Sequence, residues 1–281
     1  MPGLIFAFIL TLALTAIPGA TDVVAAVSQD QSNAGQMTPL QLLIERQRTR
    51  LGSAEQEERR DAVSQLGAMH HRDASRVAVA ALIDPSPTVR ATAASAILAL
   101  TGEEVATNLI PLLSDKHEFV RREAAYALGK TGSASAVNPL IDRLLLDKED
   151  GVRSAAAVAL GEISSDAAVT TLAAVVSSQV VTVSSKKNAK SKKEKNPFVL
   201  RAAARSLGQI GSRAAVPALL TVLQDETADD DVRREAAIAL GLIGDPAAIP
   251  ALRNQSSARD PYFARAAFNA IDSIVKAKTK R

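Results

Sequence analysis

The stretches "VRREAAYALGKTG" (residues 120–132) and "VRREAAIALGLIG" (residues 232–244) differ at only three of thirteen positions. Val120 is the anchor of this phrase, and the steps between its equivalents are 31 to 33 residues, except for one step of 47. Self-similarity at a fixed period indicates a repeat architecture. The equivalents of Val120 are Glu58, Val89, Val152, Val199, Val232 and Phe263.

Each repeat has two halves that both show helical periodicity. In the first half, apolar and small residues share one helical face, and alanines such as Ala124 and Ala125 allow a neighbouring helix to approach closely. A glycine usually follows, as at Gly129, and a second glycine often ends the turn. The second half is predicted to open with an apolar residue and proline, which the first turn of a helix tolerates. These pairs are Ile110-Pro111, Val216-Pro217 and Ile249-Pro250.

The fold class predicted from this pattern is all-α, a right-handed solenoid of about seven helix pairs. A single helix pair cannot bury its apolar face, whereas stacked pairs form one continuous core. The composition agrees, since 47% of the residues are apolar, only 3% are aromatic and Cys is absent. Thr38-Pro39-Leu40-Gln41 resembles a capping box that begins a helix. The predicted divisions are an N-terminal helix over 38–52, the solenoid over 53–277 and a tail over 278–281.

The repeated phrase "VRxxAAxALGxIG…AxPxLxxLLxD" resembles HEAT repeats, in particular the short variety of phycobilisome lyase-like proteins. The resemblance extends over 53–277 and implies an armadillo-like fold whose members mostly bind other proteins. It leaves a lyase-type enzyme or enzyme subunit, related to the phycobilin lyases, as an alternative. The signatures of ankyrin and tetratricopeptide repeats are absent from the sequence.

The N-terminus is predicted to be a secretory signal peptide over 1–26, followed by a polar linker over 27–37. Leu4 to Ile17 is an unbroken apolar run of 14 residues, shorter than the ~20 that a membrane-spanning helix needs. A periplasmic or secreted protein without a transmembrane domain in its mature chain follows from this interpretation. Alternatives are a protein anchored by an uncleaved N-terminal segment and a misassigned start.

Arginine recurs in the first turn of the predicted first helices, where a cation opposes the helix dipole. A compensating anion is therefore expected beside each one. Aspartates occur six residues before three of these arginines and two residues before the fourth. We predict a structural ladder that joins each unit to itself or to the next, formed by Asp84, Arg90, Asp115, Arg121, Asp147, Arg153, Asp231 and Arg233.

Sequence motifs give little support to catalysis. His117-Glu118 is similar to the His-Glu pairs of the HEAT-repeat deoxyhypusine hydroxylase, but that enzyme's di-iron site uses four pairs and this chain has one. His70 and His71 are interpreted as exposed turn residues. The acidic segment 225–231 lacks the glycine and closing glutamate of an EF-hand. We therefore expect no enzyme activity and assign no catalytic, cofactor-binding or metal-binding residue.

The long step of 47 residues reflects a lysine-rich insertion over 177–197. Residues 184–196 hold six lysines and one glutamate, a net charge of +5 in a chain whose total is +3, so the remainder carries −2. Because loop extension costs little free energy, a solvated loop is the simplest interpretation. The alternative is a peripheral contact with anionic surfaces, whereas nucleic acid is unlikely because no aromatic residue lies among the lysines. Its lysines are Lys186, Lys187, Lys190, Lys192, Lys193 and Lys195.

The function expected from the sequence is that of an exported, non-enzymatic scaffold that binds a protein partner. Solenoid curvature creates a concave surface, and the second helices are predicted to line it. The partner-binding residues expected on those helices are Asn138, Asp142, Arg143, Arg253 and Asn254.

Overall fold

The computed structural model describes residues 37–177 and 196–279. The predicted signal peptide, nearly all of the linker, and the six lysines of the insertion lie outside these residues. The chain divides into two compact units, Met1–Glu45 and Arg46–Arg281. In the first, the Thr38 side chain accepts a hydrogen bond from the Gln41 backbone N–H at 3.2 Å, and the Gln41 side chain accepts one from the Thr38 N–H at 2.8 Å. This reciprocal pair is the expected capping box.

The described residues contain fourteen α-helices and no strand. The helices are α1 (Pro39–Arg50), α2 (Gln56–Ala68), α3 (Arg72–Ala78), α4 (Pro87–Ala96), α5 (Gly102–Leu109), α6 (Glu118–Gly129), α7 (Val137–Leu146), α8 (Asp150–Ile163), α9 (Val169–Val176), α10 (Pro197–Ile210), α11 (Val216–Gln224), α12 (Asp230–Ile243), α13 (Ile249–Gln255) and α14 (Pro261–Thr279).

The second compact unit is built from helix pairs. We call α2, α4, α6, α8, α10, α12 and α14 the first helices, and α3, α5, α7, α9, α11 and α13 the second helices. Each first helix from α2 to α12 packs against the first helix of the next pair, and each first helix from α4 onward packs against the second helix that precedes it in the chain. The predicted all-α solenoid is confirmed.

Glycine and alanine allow the first helices to approach each other closely. A Cβ added at Gly241 would lie 2.8 Å from the Cα of Ala270 on the next first helix, and one at Gly208 would lie 2.7 Å from the Cα of Ala239. Because no side chain larger than hydrogen fits at these positions, the glycine after each buried leucine fixes the spacing of the stack. The core between the two rows is aliphatic, and its most buried side chains include Leu128, Leu160 and Leu207.

The second helices start in two different ways. Val216-Pro217 and Ile249-Pro250 begin α11 and α13 as predicted, each after a short 3₁₀ turn. The prediction for Ile110-Pro111 was wrong, because α5 already begins at Gly102 behind a capping box of Thr101 and Glu104. Pro111 instead lies in the 3₁₀ segment Ile110–Ser114, where its missing N–H interrupts the α-helix.

The last first helix, α14, extends to Thr279, two residues beyond the predicted end of the solenoid. Within the described parts of the chain, no helix combines the length and the apolar character required to cross a membrane.

Candidate functional site

Arginines in the first turns of the first helices form paired hydrogen bonds with aspartates at the ends of second helices. Arg90 donates from Nε and Nη2 to the carboxylate of Asp115 at 2.8 and 2.9 Å. Its third nitrogen, Nη1, donates to the backbone carbonyl of Asp84 at 2.7 Å. The guanidinium therefore connects the end of the preceding pair to the end of its own pair, and the carboxylate compensates its unfavourable position at a helix N-terminus.

The same arrangement occurs three times in succession. Arg59 donates to the Asp84 carboxylate at 2.7 and 2.9 Å, and Arg121 donates to the Asp147 carboxylate at 2.7 and 2.8 Å. Arg121 also donates to the Asp115 carbonyl at 2.9 Å, and Arg153 donates to the Asp147 carbonyl at 3.2 Å. We call this alternation of arginine and aspartate from Arg59 to Arg153 the Arg–Asp ladder.

The ladder differs in detail from the pairing suggested by the sequence. The aspartate six residues before an arginine offers its backbone carbonyl, while its carboxylate binds the arginine of the preceding first helix. Arg59, which was not predicted, supplies the first pair. Asp231 contacts Arg201 and Arg234, and Arg233 contacts Asp230 and the Gln255 side chain, so the expected Asp231–Arg233 pair does not form.

Ladder carboxylates are held in their ionised form. Burial alone would raise the pKa of Asp147, but hydrogen bonds from Arg121 and from the Glu149 N–H outweigh it and lower the pKa below its ordinary value. The pKa values of Asp84 and Asp115 are lowered through the same balance. The ladder is thus a series of ionised side chains that link consecutive pairs. These side chains pair with each other rather than with a ligand.

The predicted partner-binding residues lie on two separate second helices. Asn138 and Asp142 are exposed on α7, and Arg253 and Asn254 are exposed on α13, with α9 and α11 between the two helices in the order of second helices. Arg143 is partly buried and lies 3.8 Å from the Asp147 carboxylate at the end of the ladder. The structure does not gather these five residues into one cluster, and their role remains a prediction.

Large exposed apolar side chains, in contrast to these polar residues, occur at equivalent positions on the first helices. Their positions in the repeat are equivalent, since Tyr126 and Ile238 both follow the anchor by six residues, and Phe198 and Tyr262 both precede it by one. Helical geometry directs these positions to the same side of each helix. We call this surface, on α6, α8, α10, α12 and α14, the first-helix face. Its exposed apolar residues are Tyr126, Phe198, Ile238, Leu242 and Tyr262.

Two open grooves run between neighbouring helices on this face. The first has a volume of about 490 Å³ and lies between α6, α8 and α10, where Tyr126 and Phe198 adjoin Arg122 and Glu123. The second has a volume of about 650 Å³ and lies between α12 and α14. The sequence analysis missed this surface because it ranked polar residues on the second helices. The available signal was the apolar residue at the variable seventh position of "VRREAAYAL" and "VRREAAIAL".

The three histidines do not come together as metal ligands. His71 caps α3, where its Nδ1 accepts a hydrogen bond from the Asp73 N–H at 3.2 Å, and exposed His70 lies in the preceding turn with a positive φ of 46°. His117 precedes α6 and its ring lies 5.7 Å from that of Phe119. The described residues contain no group of three or more His, Cys, Asp or Glu side chains that could hold a metal ion.

Comparison with known proteins agrees with this geometry. The family model for HEAT repeats matches residues 44–128, 106–183 and 190–272, which together make up most of the chain. No curated protein matches the sequence.

Solved structures resemble the chain in fold. YibA of Escherichia coli is 19% identical, with a TM-score of 0.55 over 92% of this chain and 89% of that protein. The complex of CpcE and CpcF of phycocyanin lyase from Nostoc is 22% identical, with a TM-score of 0.50 over 94% of this chain and 100% of the matched chain. An engineered protein is 20% identical, with a TM-score of 0.52 over 83% of this chain and 68% of its own. Identities this low establish the architecture alone.

Proposed function

The chain belongs to the HEAT-repeat family, and on this basis we propose that it is an exported, non-enzymatic scaffold that binds a partner protein through its first-helix face. The observation that carries this proposal is the register of exposed apolar side chains along that face. Phe198 is 66% exposed, Leu242 62% and Tyr262 71%. Tyrosine is enriched among the residues that contribute most to binding free energy at protein interfaces, and contiguous exposed apolar patches mark interaction sites.

The first-helix face is a better candidate than the second helices that the sequence favoured. The polar residues Asn138, Asp142, Arg253 and Asn254 lie on helices separated by two others, whereas the apolar residues lie in two grooves on successive first helices. Arginine accompanies the apolar residues in both grooves, through Arg122 in one and Arg234 in the other. Arginine and tyrosine together are enriched at interface hot spots.

Export is a separate part of the proposal and rests on the N-terminal sequence. The apolar run Leu4 to Ile17 has the length of the apolar region of a signal peptide, and small residues follow it at cleavage spacing. An envelope fraction that contains the protein with a new N-terminus near residue 27 would support this part. A protein that retains Met1 in the cytoplasmic fraction would contradict it.

A crosslinking pull-down from the native envelope fraction tests the binding face. The triple variant Tyr126→Ser/Phe198→Ser/Ile238→Ser removes three exposed apolar side chains from the face. The matched control is Ile83→Ser, because Ile83 is 86% exposed and lies in the 3₁₀ segment after α3. We expect a partner captured by the wild type and by Ile83→Ser to be lost with the triple variant.

A second variant, with residues 184–196 deleted, distinguishes the face from the lysine-rich insertion. Capture that survives the triple variant but disappears on deletion, and that weakens with salt, would overturn the proposal and assign binding to the lysines. Circular dichroism and thermal unfolding of every variant confirm that the fold is retained.

A further inference from the structure

The groove between α12 and α14 is lined by both apolar and basic side chains. Ile238, Gly241 and Leu242 line it from α12, and Tyr262, Ala266 and Asn269 line it from α14. Two guanidinium groups, those of Arg234 and Arg265, lie at the groove as well. An occupant of this groove would therefore meet exposed apolar surface and positive charge side by side.

Arginines on the preceding first helices show how this face neutralises its positive charge. Arg201 on α10 lies 3.6 Å from the Asp231 carboxylate on α12, and Arg205 donates to Glu235 on α12 at 2.9 Å. Each of these cations is thus compensated by a carboxylate carried on the next first helix. Between α10 and α12, therefore, positive charge on one first helix is met by negative charge from the following one.

A contact of the same kind occurs between α12 and the residue directly before α14. Arg234 follows its anchor by two residues, as Arg201 does, and lies 4.0 Å from the carboxylate of Asp260 directly before α14. Arg234 also contacts Asp231 within its own helix. The carboxylate that approaches from the next repeat therefore comes from just before the helix or from its first turn.

Arg265 occupies the same repeat position on α14, two residues after Phe263, and is exposed. No helix follows α14 in the described chain, and Arg265 has no ion-pair partner among residues 37–177 and 196–279. The nearest acidic residue along the helix on this side, Asp272, forms an ion pair with Lys276 at 2.7 Å. Arg265 thus lies at the groove without a carboxylate of the kind that Arg201 and Arg234 receive from the next repeat.

We propose that the groove between α12 and α14 binds a segment of the partner protein in which an aspartate or glutamate adjoins apolar side chains, with Arg265 pairing the carboxylate and Ile238, Leu242 and Tyr262 contacting the apolar residues. This inference rests on the proposed scaffold function and names the chemistry of the partner. The apolar contacts exclude water from the ion pair, which strengthens it relative to one in open solvent.

Selection from a phage-displayed library of random peptides of about 12 residues tests this inference on the full-length protein. The wild type is expected to enrich peptides in which Asp or Glu stands within a turn of two apolar residues. The variant Arg265→Glu is expected to reduce capture of those peptides by about tenfold or more, because a charge-assisted pair is replaced by repulsion. A second selection on Arg265→Glu should enrich Lys or Arg at the position of the acid.

The matched control is Arg259→Glu, which makes the same charge change at an exposed arginine outside the groove lining. Selected peptides should bind this control as they bind the wild type. Three results would overturn the inference: no enriched peptide, enrichment without an acidic residue, or equal loss in both variants. Equal loss would indicate that net charge, rather than the position of Arg265, governs capture.

Failure of this inference can be separated from failure of the proposed function. If the partner in the envelope pull-down is lost with the Tyr126/Phe198/Ile238 variant but retained with Arg265→Glu, the scaffold function stands and the acidic segment is rejected. If the partner is retained with both variants while selected acidic peptides still require Arg265, the groove binds such segments but the first-helix face is not where this partner binds.

Discussion

The two halves of the solenoid join their repeats by different means. From α2 to α8 the Arg–Asp ladder connects consecutive pairs through short paired hydrogen bonds, and its deepest carboxylate, Asp147, has a side chain only 2% exposed. From α10 to α14, arginines reach across the exposed first-helix face to acids such as Glu235, and Arg233 lies 4.7 Å above the Phe263 ring. Charged side chains in the first half connect consecutive pairs, whereas in the second half they border the exposed apolar residues of the first-helix face.

Single residues explain why the ladder stops where it does. A complete step needs arginine directly after the anchor and aspartate directly after the second helix or after the 3₁₀ segment that extends it. Ser177 follows α9 at the place where Asp147 follows α7, and Leu200 stands after the anchor of α10 where Arg121 stands in α6. Different residues at these two repeat positions therefore separate the part of the solenoid that is joined by the ladder from the part that is held together mainly by apolar packing.

The largest effect is expected from removing the deepest carboxylate of the ladder. Asp147→Ala leaves the buried guanidinium of Arg121 without its partner, and breaking a buried pair in this way costs about 3–5 kcal/mol. Urea unfolding followed by circular dichroism measures the loss in the free energy of unfolding. Asp142→Ala, at an exposed position on the same helix, should change it by less than about 0.5 kcal/mol. Equal effects of the two variants would show that the ladder contributes no cohesion.

A smaller effect is expected in the second half from crowding two first helices. Gly241→Ala places a Cβ 2.8 Å from the Ala270 Cα, and such overpacking costs about 1–3 kcal/mol. The matched change Gly151→Ala meets only the Arg122 Cδ at 3.9 Å, so the higher helix propensity of alanine should leave stability unchanged or increase it by up to about 1 kcal/mol. Thermal unfolding measures both. Similar destabilisation by the two variants would contradict the close packing of α12 and α14.

The smallest difference is expected on acidification. Asp84, Asp115 and Asp147 have folded-state pKa values below the ordinary value of 3.8, so the stability that they contribute is complete above that value and is lost as the pH falls through their folded-state pKa values. The first half of the solenoid should therefore lose stability before the second half as the pH falls below about 4. The pKa of Asp225 is also lowered, but by hydrogen bonds from Thr227 in its own loop. Protonation of Asp225 therefore breaks no contact between repeats.

Hydrogen exchange measured by mass spectrometry at pH 7 and near pH 3 follows this effect helix by helix, after correction for the intrinsic exchange rates. We expect protection in α2–α7 to fall more than protection in α10–α14. Asp142→Asn serves as the control and should follow the pH profile of the wild type. A loss of protection that begins in α10–α14 would contradict the assignment of the ladder to the first half.

The sequence predicted the helix pairs well because their signal is local and periodic. Three features each specify a contact that recurs in the stack: the apolar spacing, the alanines after the anchor and the glycines after the leucine. The structure of one repeat therefore predicts that of the next. The position of α5 was harder to predict, because the Thr101 capping box begins the helix before the proline that marks other second helices. A helix boundary depends on which of two competing signals provides more hydrogen bonds to the free N–H groups.

The candidate site was less predictable because it depends on relations between repeats. Periodicity shows that Tyr126 and Ile238 are equivalent, but only the packing of α12 on α14 shows that Ile238 and Tyr262 line one groove. Likewise, an aspartate six residues before an arginine suggests a pair, whereas the structure joins that arginine to an aspartate 25 or 26 residues later. Contacts between neighbouring repeats follow from the three-dimensional stack and not from proximity in the chain.

The Arg–Asp ladder also makes the first half modular in an evolutionary sense. Asp84 and Asp115 are separated by one period of 31 residues, and each presents a carboxylate to the arginine before it and a carbonyl to the arginine after it. Duplication of the segment 85–115 would therefore insert a whole pair with compatible contacts at both of its borders. In this half of the gene, unequal recombination can lengthen or shorten the protein by complete repeats while the ladder contacts are kept.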